Sequence, residues 1–594
     1  MFQTFDAPTA PEQGPPRLKA LRAEMRTAGL DAFVVPRADR HQGEYVPSSD
    51  ERLAWLTGFT GSAGFAAITQ DIAGVFIDGR YRLAVGAQVA EDYTPVHWPE
   101  TKLGAWLLEH LASGSIVGFD PWLHTADEIA ALRKAAGNAL ELRAVDNLVD
   151  AIWEDRPTPP NAPARAQDIA FAGEKSGEKR ARMAALLQEV GQSAAILTLP
   201  DSICWLLNIR GSDIPRNPVV LAFAILHADG SVHLFAEPTK FDALGPDPNI
   251  TLAPMGAFED ALTALKGPVR VDRKTAPVAV SSILKDANIE VAWDDDPCIL
   301  PKACKNEAEI AGAREAHLRD AAAMVQFLAW FDTEAPKGAL TEIDAVTALE
   351  GFRAGTNSLQ DISFETISGA GPNGAIVHYR VSEDTNRVIK DGELYLVDSG
   401  GQYLDGTTDI TRTLVVGEPT QEQKECFTRV LQGMIAISTA RFPRGLAGRD
   451  IDALARAPLW RAGLDYDHGT GHGVGSFLSV HEGPQRISRV SDVPFQEGMI
   501  LSNEPGYYRA GAFGIRIENL IVVQKAQEMG DNRDHLDFET LTFVPIDRRL
   551  IAMDLLAPWE RDWINAYHDN VRTKLEDRVE GDVLSWLAQA TAPI

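Results

Sequence analysis

Four cysteines in 594 residues, none of them in a Cys-x-x-Cys pair, exclude a disulfide framework. Cys204, Cys298, Cys304 and Cys426 are expected to be reduced core or surface thiols. Long apolar runs are missing too. The longest, Val219 to Leu226, has eight residues, against the roughly 20 that a membrane span needs, and reads as a buried strand. The N-terminus, Met1-Phe-Gln-Thr-Phe-Asp-Ala-Pro, has neither a basic segment nor an apolar one, so no export signal is expected and the cytoplasm is the default compartment. Positive charge is scarce: 56 Lys and Arg stand against 84 Asp and Glu, a formal net charge of −28. A surface of that sign repels polyanions, which argues against nucleic acid as a partner. What is present in ordinary amount is core. Hydrophobic content of 45% and charged content of 24% suit a soluble globular protein, and the length exceeds one core. At about 150 residues per domain it suggests three or four, with three as the working number.

An amphipathic stretch, Leu18 to Ala28, precedes a short apolar strand, Asp31 to Pro36, and Arg52-Leu-Ala-Trp-Leu-Thr-Gly-Phe-Thr-Gly-Ser follows. The order returns as helical Arg180 to Val190, strand Ala194 to Pro200 and Ile203-Cys-Trp-Leu-Leu-Asn-Ile-Arg-Gly-Ser. The shared frame around Trp55 and Trp205 points to two related α/β domains. Between them, Asp155 to Ala164 holds four prolines in ten residues, which no helix or interior strand accommodates. A second boundary falls near Pro297 to Lys305, after the strand Val291 to Trp293 and before a helical pattern that opens at Asn306 and runs to about Phe331. The division expected is 1–155, 160–302 and 303–594.

The third segment carries the chemistry. Asp398, Asp409, His472, Glu504 and Glu518 have the identity and order needed to hold two divalent metal ions side by side, since four carboxylates and a neutral imidazole match the charge of two such cations. Without cations the carboxylates would repel one another and take up protons. With them the site becomes hydrolytic, because paired ions lower the pKa of a shared water and clamp a tetrahedral intermediate. Leu394-Tyr-Leu-Val-Asp398-Ser-Gly-Gly reads as a strand meeting a turn, and Asp405-Gly-Thr-Thr-Asp409 as the start of the returning strand, with a bulge near Gly406 to swing Asp409 inward. An isolated aspartate at such a turn would merely cap it; the company of the others argues for a ligand.

His468-Gly-Thr-Gly-His472-Gly-Val-Gly is too rich in glycine for a helix, so its two imidazoles take different tasks. His472 is assigned as ligand and His468 to the outer shell or substrate side. Glu504 precedes Pro505, which forces extended backbone. Gly514 to Val523 reads as one strand, with Arg516 and Glu518 on one face and Arg516 placed to brace an acidic ligand. His378 and His481 follow loops rich in glycine and proline, where they could donate to an oxyanion or move a proton to the leaving amine.

Taken together, Ser363-Phe-Glu-Thr-Ile-Ser-Gly-Ala-Gly-Pro-Asn-Gly-Ala-Ile-Val-His378-Tyr, Val397-Asp398-Ser-Gly, Thr408-Asp409-Ile-Thr-Arg, His468-Gly-Thr-Gly-His472-Gly-Val-Gly, Asn503-Glu504-Pro-Gly-Tyr-Tyr and Ile515-Arg516-Ile-Glu518-Asn closely resemble the pita-bread metallopeptidases. Within them the chain resembles the long, three-domain aminopeptidases P, over nearly its whole length. The resemblance implies a multidomain α/β and α+β architecture: two creatinase-like N-terminal domains, then a pita-bread catalytic domain of two α/β halves with curved antiparallel sheet inside and helices outside, ending in a C-terminal extension. It implies that Asp398 and Asp409 chelate one metal, that Asp409 and Glu518 bridge, and that His472 and Glu504 complete the other. His378, His468 and His481 would serve substrate binding and proton transfer.

The implied activity is release of the N-terminal residue from peptides with proline second, the implied assembly a homodimer, and the implied cofactor a pair of Mn²⁺ ions. An oxygen-rich shell favours Mn²⁺ over Zn²⁺ while the Irving–Williams order runs the other way, so Co²⁺ and Zn²⁺ stay as alternatives. The nearest rival is a prolidase, with the same shell but Xaa-Pro dipeptides as substrates. A metal-free creatinase-like or peptide-binding homologue would have lost ligand carboxylates, and none is lost here.

Overall fold

The computed structural model describes residues 1–6, 9–530 and 532–594, which form two compact units. One is built from most of the chain before Leu300; the other is built around Leu300–Ile594 and takes in Ala170–Gly173. Among the described residues no helix is long and apolar enough to cross a membrane, and all four cysteines are free.

The first unit holds two six-stranded sheets. Their strand orders are Thr94–His97, Ala73–Ile77, Phe65–Thr69, Ala32–Pro36, Ser115–Phe119, Leu140–Ala144, and Ile250–Ala253, Val232–Phe235, Phe223–His227, Ala194–Leu197, Val269–Val271, Val291–Trp293. Position by position the two are wired alike. Ala32–Pro36 and Ala194–Leu197 each pair antiparallel on one side and parallel on the other, and the edge pairs are parallel in both. Trp55 and Trp205 lie on equivalent helices, Arg52–Thr57 and Pro200–Leu207, each following the first strand of its sheet. The Trp-centred repeat is thus a repeat of topology. The apolar run Val219 to Leu226 is buried as expected, but only its second half is strand: the ladder begins at Phe223. Likewise the strand expected to reach Pro200 ends at Leu197, because Pro200 opens the next helix, where its missing N–H costs nothing.

In the second unit Asn306 caps the long helix Glu307–Glu334 through a capping box with Glu309. This helix and Glu342–Ala354, Gln421–Ser438, Gly448–Trp460 and Pro558–Leu575 cover short sheets in which every pairing is antiparallel. A three-stranded sheet runs Ile367–Ala370, Leu394–Ser399, Ile410–Val415; a six-stranded one runs Phe442–Pro443, His535–Thr540, Asn519–Lys525, Ile500–Asn503, Gly471–Gly473, Glu482–Ile487. The largest apolar cluster of this unit includes Phe327, Phe331, Tyr395, Val430 and Ile564 and lies between helices and sheet, so the rims of the sheets are left for polar work.

Two local expectations are corrected. Asp398 pairs with Thr411 and Ser399 with Ile410, so Asp409 lies one step beyond the ladder. No bulge brings it in. Instead a second small hairpin, Gly401–Tyr403 with Gly406–Thr407, is inserted and joins a separate sheet with Asp361–Ile362. The approach this requires is close: a Cβ on Gly400 would stand 1.9 Å from the carbonyl oxygen of Thr408. Nor is Gly514 to Val523 one strand. Phe513–Arg516 pairs with Gly506–Arg509, whereas Asn519–Lys525 belongs to the six-stranded sheet. The chain crosses between sheets at Ile517 and Glu518, whose N–H groups donate to Pro505 O (3.3 Å) and Thr411 O (3.1 Å).

Candidate metal centre

Strand ends and crossings converge here. Asp398 is the last residue but one of its strand, Asp409 precedes the returning one, His472 is the middle of Gly471–Gly473, Glu504 follows Ile500–Asn503, and Glu518 sits at the crossing. Close backbone approach makes the convergence work: a Cβ on Gly471 would stand 2.0 Å from Ser502 O, so only glycine lets the His472 strand lie against the strand that leads to Glu504. Ligand atoms of Asp409, His472 and Glu518 all lie within 4.8 Å of one another. His472 Nε2 is 3.5 Å from Asp409 Oδ2 and 3.5 Å from Glu504 Oε1. The cluster is open on one side, where the His472 side chain keeps 21% exposure and Glu504 keeps 17%.

Supporting bonds aim each group. His472 Nδ1 lies 2.9 Å from Gly473 O, which leaves Nε2 as the face toward the carboxylates. Thr411 Oγ1 donates to Glu518 Oε2 (2.7 Å) and Ser502 Oγ to Glu504 Oε1 (3.1 Å). Arg516, expected to brace an acidic ligand, donates from Nη2 to Asp398 Oδ2 at 2.6 Å, and from Nε to Thr411 Oγ1 at 3.2 Å. One oxygen of each of three carboxylates, Asp398 Oδ1, Asp409 Oδ1 and Glu518 Oε1, is buried with no hydrogen-bond partner. Buried acceptors are nearly always satisfied. Three orphans in one cluster therefore mark a place for cations.

The electrostatics agree. Burial, with Asp398 and Glu504 nearby, pushes the Asp409 carboxyl up to about 6. Burial and the same carboxylate company hold Glu518 well above the usual range. Burial acts against charge on His472, but its bond to Asp409 and the proximity of Glu504 outweigh it and raise the imidazole to about 9. In the bare protein protons answer the crowding, and divalent cations are what would displace them. The donor set, four carboxylates and one imidazole with three vacant buried oxygens, fits a pair of them.

The structure also places the four residues expected outside the ligand set. His481 lies against His472, ring centroids 4.4 Å apart and edge-on. His468 Nε2 lies 2.9 Å from Tyr508 OH, which accepts from Arg516 Nη1 at 2.5 Å, so His468 joins the cluster through two residues. His378 follows Val377, whose carbonyl faces both Arg516 Nη atoms at 3.4 Å. A Cβ on Gly514 would stand 1.7 Å from Gly374 O, so the loop leading to His378 is seated on the Arg516 strand.

Sequence reasoning missed several supporting residues. Tyr508 closes the segment Asn503-Glu-Pro-Gly-Tyr-Tyr508, where nothing local marks its hydroxyl as a partner of His468 and Arg516; Thr411 and Ser502 are short hydroxyls without a signature. Glu482, next to His481, is fully buried between two lysines, in an ion pair of 2.9 Å with Lys302 that lacks hydrogen-bond alignment and in a short contact with Lys305. No local pattern could have announced that pairing across some 180 residues, though the spacing Lys302-Ala-Cys-Lys305 ahead of a capping box was visible.

Known proteins match along the whole chain. Residues 311–525 match the model described as metallopeptidase family M24 and 534–594 the C-terminal region of peptidase M24; 17–152 and 155–309 match two models of the creatinase/prolidase N-terminal domain. Aminopeptidase P2 of Arabidopsis thaliana is 40% identical, over 95% of this chain and 86% of that protein. A probable Xaa-Pro aminopeptidase P of Laccaria bicolor is 39% identical, over 97% and 93%. A crystal structure of X-prolyl aminopeptidase from Caenorhabditis elegans, described as a cytosolic enzyme with a di-nuclear active site, superposes with a TM-score of 0.92 at 33% identity, covering 98% of this chain and 99% of that one. Identity and coverage of that extent, on a fold with this cluster at its rim, place the chain in the M24 metallopeptidase family, among its Xaa-Pro aminopeptidases, and so among the hydrolases.

Proposed function

We propose that this enzyme removes the first residue from peptides whose second residue is proline, using two divalent ions held by Asp398, Asp409, His472, Glu504 and Glu518. The observation that carries the reading is the convergence of buried Asp409 and Glu518 with half-buried His472, beside three unpartnered carboxylate oxygens. The nematode enzyme's di-nuclear site supports the count of two. The oxygen-rich shell supports Mn²⁺. When bound, such ions would acidify a water and polarise the scissile carbonyl.

The chain's own residues do the rest. Arg516 pins Asp398 and neutralises its charge, so that the carboxylate's free oxygen keeps one direction. His481, edge-on to His472, is in reach of the reacting centre and would donate to the developing oxyanion or pass a proton to the leaving amine. His468, on its Tyr508–Arg516 relay, would hold the substrate side, and His378 would do so from the loop beside Arg516. An amide to proline is tertiary and has no N–H, so strong carbonyl polarisation and an apolar seat for the ring replace the bond that an ordinary aminopeptidase would make. Anchoring the free amine of the substrate at the cluster fixes the cut one residue from the end. The reading carries with it a domain division at 1–155, 160–302 and 303–594, a homodimer, and a cytoplasmic location; the description of the nematode enzyme as cytosolic supports the last.

A panel of peptides tests it. Xaa-Pro-Yaa and longer chains should release the first residue at least as fast as Xaa-Pro dipeptides, and N-acetylated peptides should not be cut. Turnover confined to the dipeptide would make the protein a prolidase. Equal rates with alanine second would make it a general aminopeptidase.

A further inference from the structure

We propose that Arg456, with Asp452 and Thr470, is the positioning device for His468, a role that rests on the substrate-side function proposed for that imidazole. Residues 465–469 have no repeating structure and join the helix Gly448–Trp460 to the His472 strand. A side chain on such a strap is placed only as well as its backbone is held. Here one buried guanidinium, 3% exposed, holds its backbone, while the exposed Arg489 pairs only with the outer oxygen of Asp465 (2.5 Å) and stands 4.0 Å from Asp452. Arg456 Nη1 donates to Asp465 Oδ1 (2.9 Å) and Tyr466 O (2.7 Å), and Nη2 donates to His468 O (2.7 Å). Nε donates to Asp452 Oδ2 at 2.8 Å, one turn earlier on the same helix. The other oxygen of Asp452 accepts from Thr470 Oγ1 at 2.6 Å, and that hydroxyl lies 2.5 Å from Tyr466 OH.

Both ends of the strap are therefore tied to one buried ion pair. The guanidinium also lies over the Tyr466 ring, 3.9 Å from its centroid, and the Tyr466 and His468 ring centroids are 4.8 Å apart. Downstream, Thr470 O accepts the N–H of Glu504 at 2.8 Å, so the strap leads to one proposed ligand directly. It leads to another, Asp398, through His468, Tyr508 and Arg516. Buried ion pairs are poor devices for stability alone, because desolvation offsets their attraction. This one makes two of its hydrogen bonds with backbone carbonyls, Tyr466 O and His468 O, and two more with the side chains of Asp465 and Thr470, all around a single histidine. A lysine could not take its place, since a point charge with three donors cannot reach four acceptors arranged around a planar fork.

The test is a double-variant cycle on the full-length enzyme, read as kcat/KM on Xaa-Pro-Yaa. Arg456→Met and His468→Ala should each lower it by up to roughly 100-fold with bound metal unchanged. Arg456→Met made in the His468→Ala background should change it by less than about threefold, since residues acting through one group are not additive. Losses that multiply overturn the proposal. So does full turnover by His468→Ala, which would leave the metal-dependent hydrolysis standing. If Arg456→Met does not fold, Thr470→Val, which keeps the ion pair, should show a smaller loss of the same non-additive kind, and an additive loss again overturns the proposal. A crystal structure of either variant reads the positioning without any turnover: residues 465–469 should be displaced, and an unmoved strap contradicts the assignment.

Discussion

Asp409→Asn should lower kcat by about 10³-fold or more while the protein stays folded. Asp409 lies inside the cluster: it is 4% exposed, its Oδ2 is 3.5 Å from His472 Nε2, and its Oδ1 has no partner. An amide offers one neutral oxygen where a carboxylate offered two charged ones. Stabilisation of transition-state charge by cations is worth several kcal/mol, and each 1.4 kcal/mol is tenfold, which sets the expected loss. The fold should survive because the residue stands beyond the end of its ladder rather than within it. Indeed the metal-free variant should be at least as stable as the metal-free parent at pH 8. A carboxyl raised to about 6 favours the folded state at low pH and loses that advantage as the pH climbs through 6. At pH 8 the parent carries the cost of a charge buried beside Asp398 and Glu504, and Asn does not. Turnover, metal content and thermal melting of the chelated proteins check this together. More than a tenth of the parental kcat with full metal occupancy would remove Asp409 from the centre of the site.

His481→Ala should cost roughly 10²- to 10⁴-fold in kcat, as expected for a lost proton-transfer group or oxyanion donor, and should leave both metals bound. The imidazole meets the cluster edge-on at His472, ring centroids 4.4 Å apart. Its backbone is fixed independently, because the neighbouring Glu482 pairs with Gly473 across the strands and is buried between Lys302 and Lys305. Removing the ring should therefore not loosen the strand. Metal lost in step with activity would move His481 into the ligand set.

The candidate residues were more legible in the sequence than the route by which the backbone brings them together. Five residues of fixed type in order stand out because few combinations of side chains match the charge of two cations, and the structure brings three of them, Asp409, His472 and Glu518, within 4.8 Å of one another. The paired N-terminal sheets were legible for a similar reason: helix, strand and Trp-centred frame recur, and the recurrence proved to be one topology used twice. The insertion between Asp398 and Asp409 was not. Strands of two or three residues, such as Gly401–Tyr403 and Gly406–Thr407, are too short to show alternation. The break at Ile517 and Glu518 was hidden because β-branched residues continue through it, and only the partners at Pro505 and Thr411 reveal the change of sheet. Partners distant in sequence were out of reach altogether. Arg516 was expected to brace an acidic ligand, yet nothing local chooses Asp398, 118 residues away. The buried pairs Arg456–Asp452 and Glu482 with its lysines look like surface charges until the fold encloses them.

The most direct test of the account is a metal titration of the chelated enzyme, read as free N-terminal residue released from an Xaa-Pro-Yaa peptide. Activity should be absent at the start, rise with added Mn²⁺ and saturate at two equivalents per chain. Activity that persists in the fully chelated protein, or that is complete at one equivalent and indifferent to the second, would contradict a dinuclear centre built from Asp398, Asp409, His472, Glu504 and Glu518.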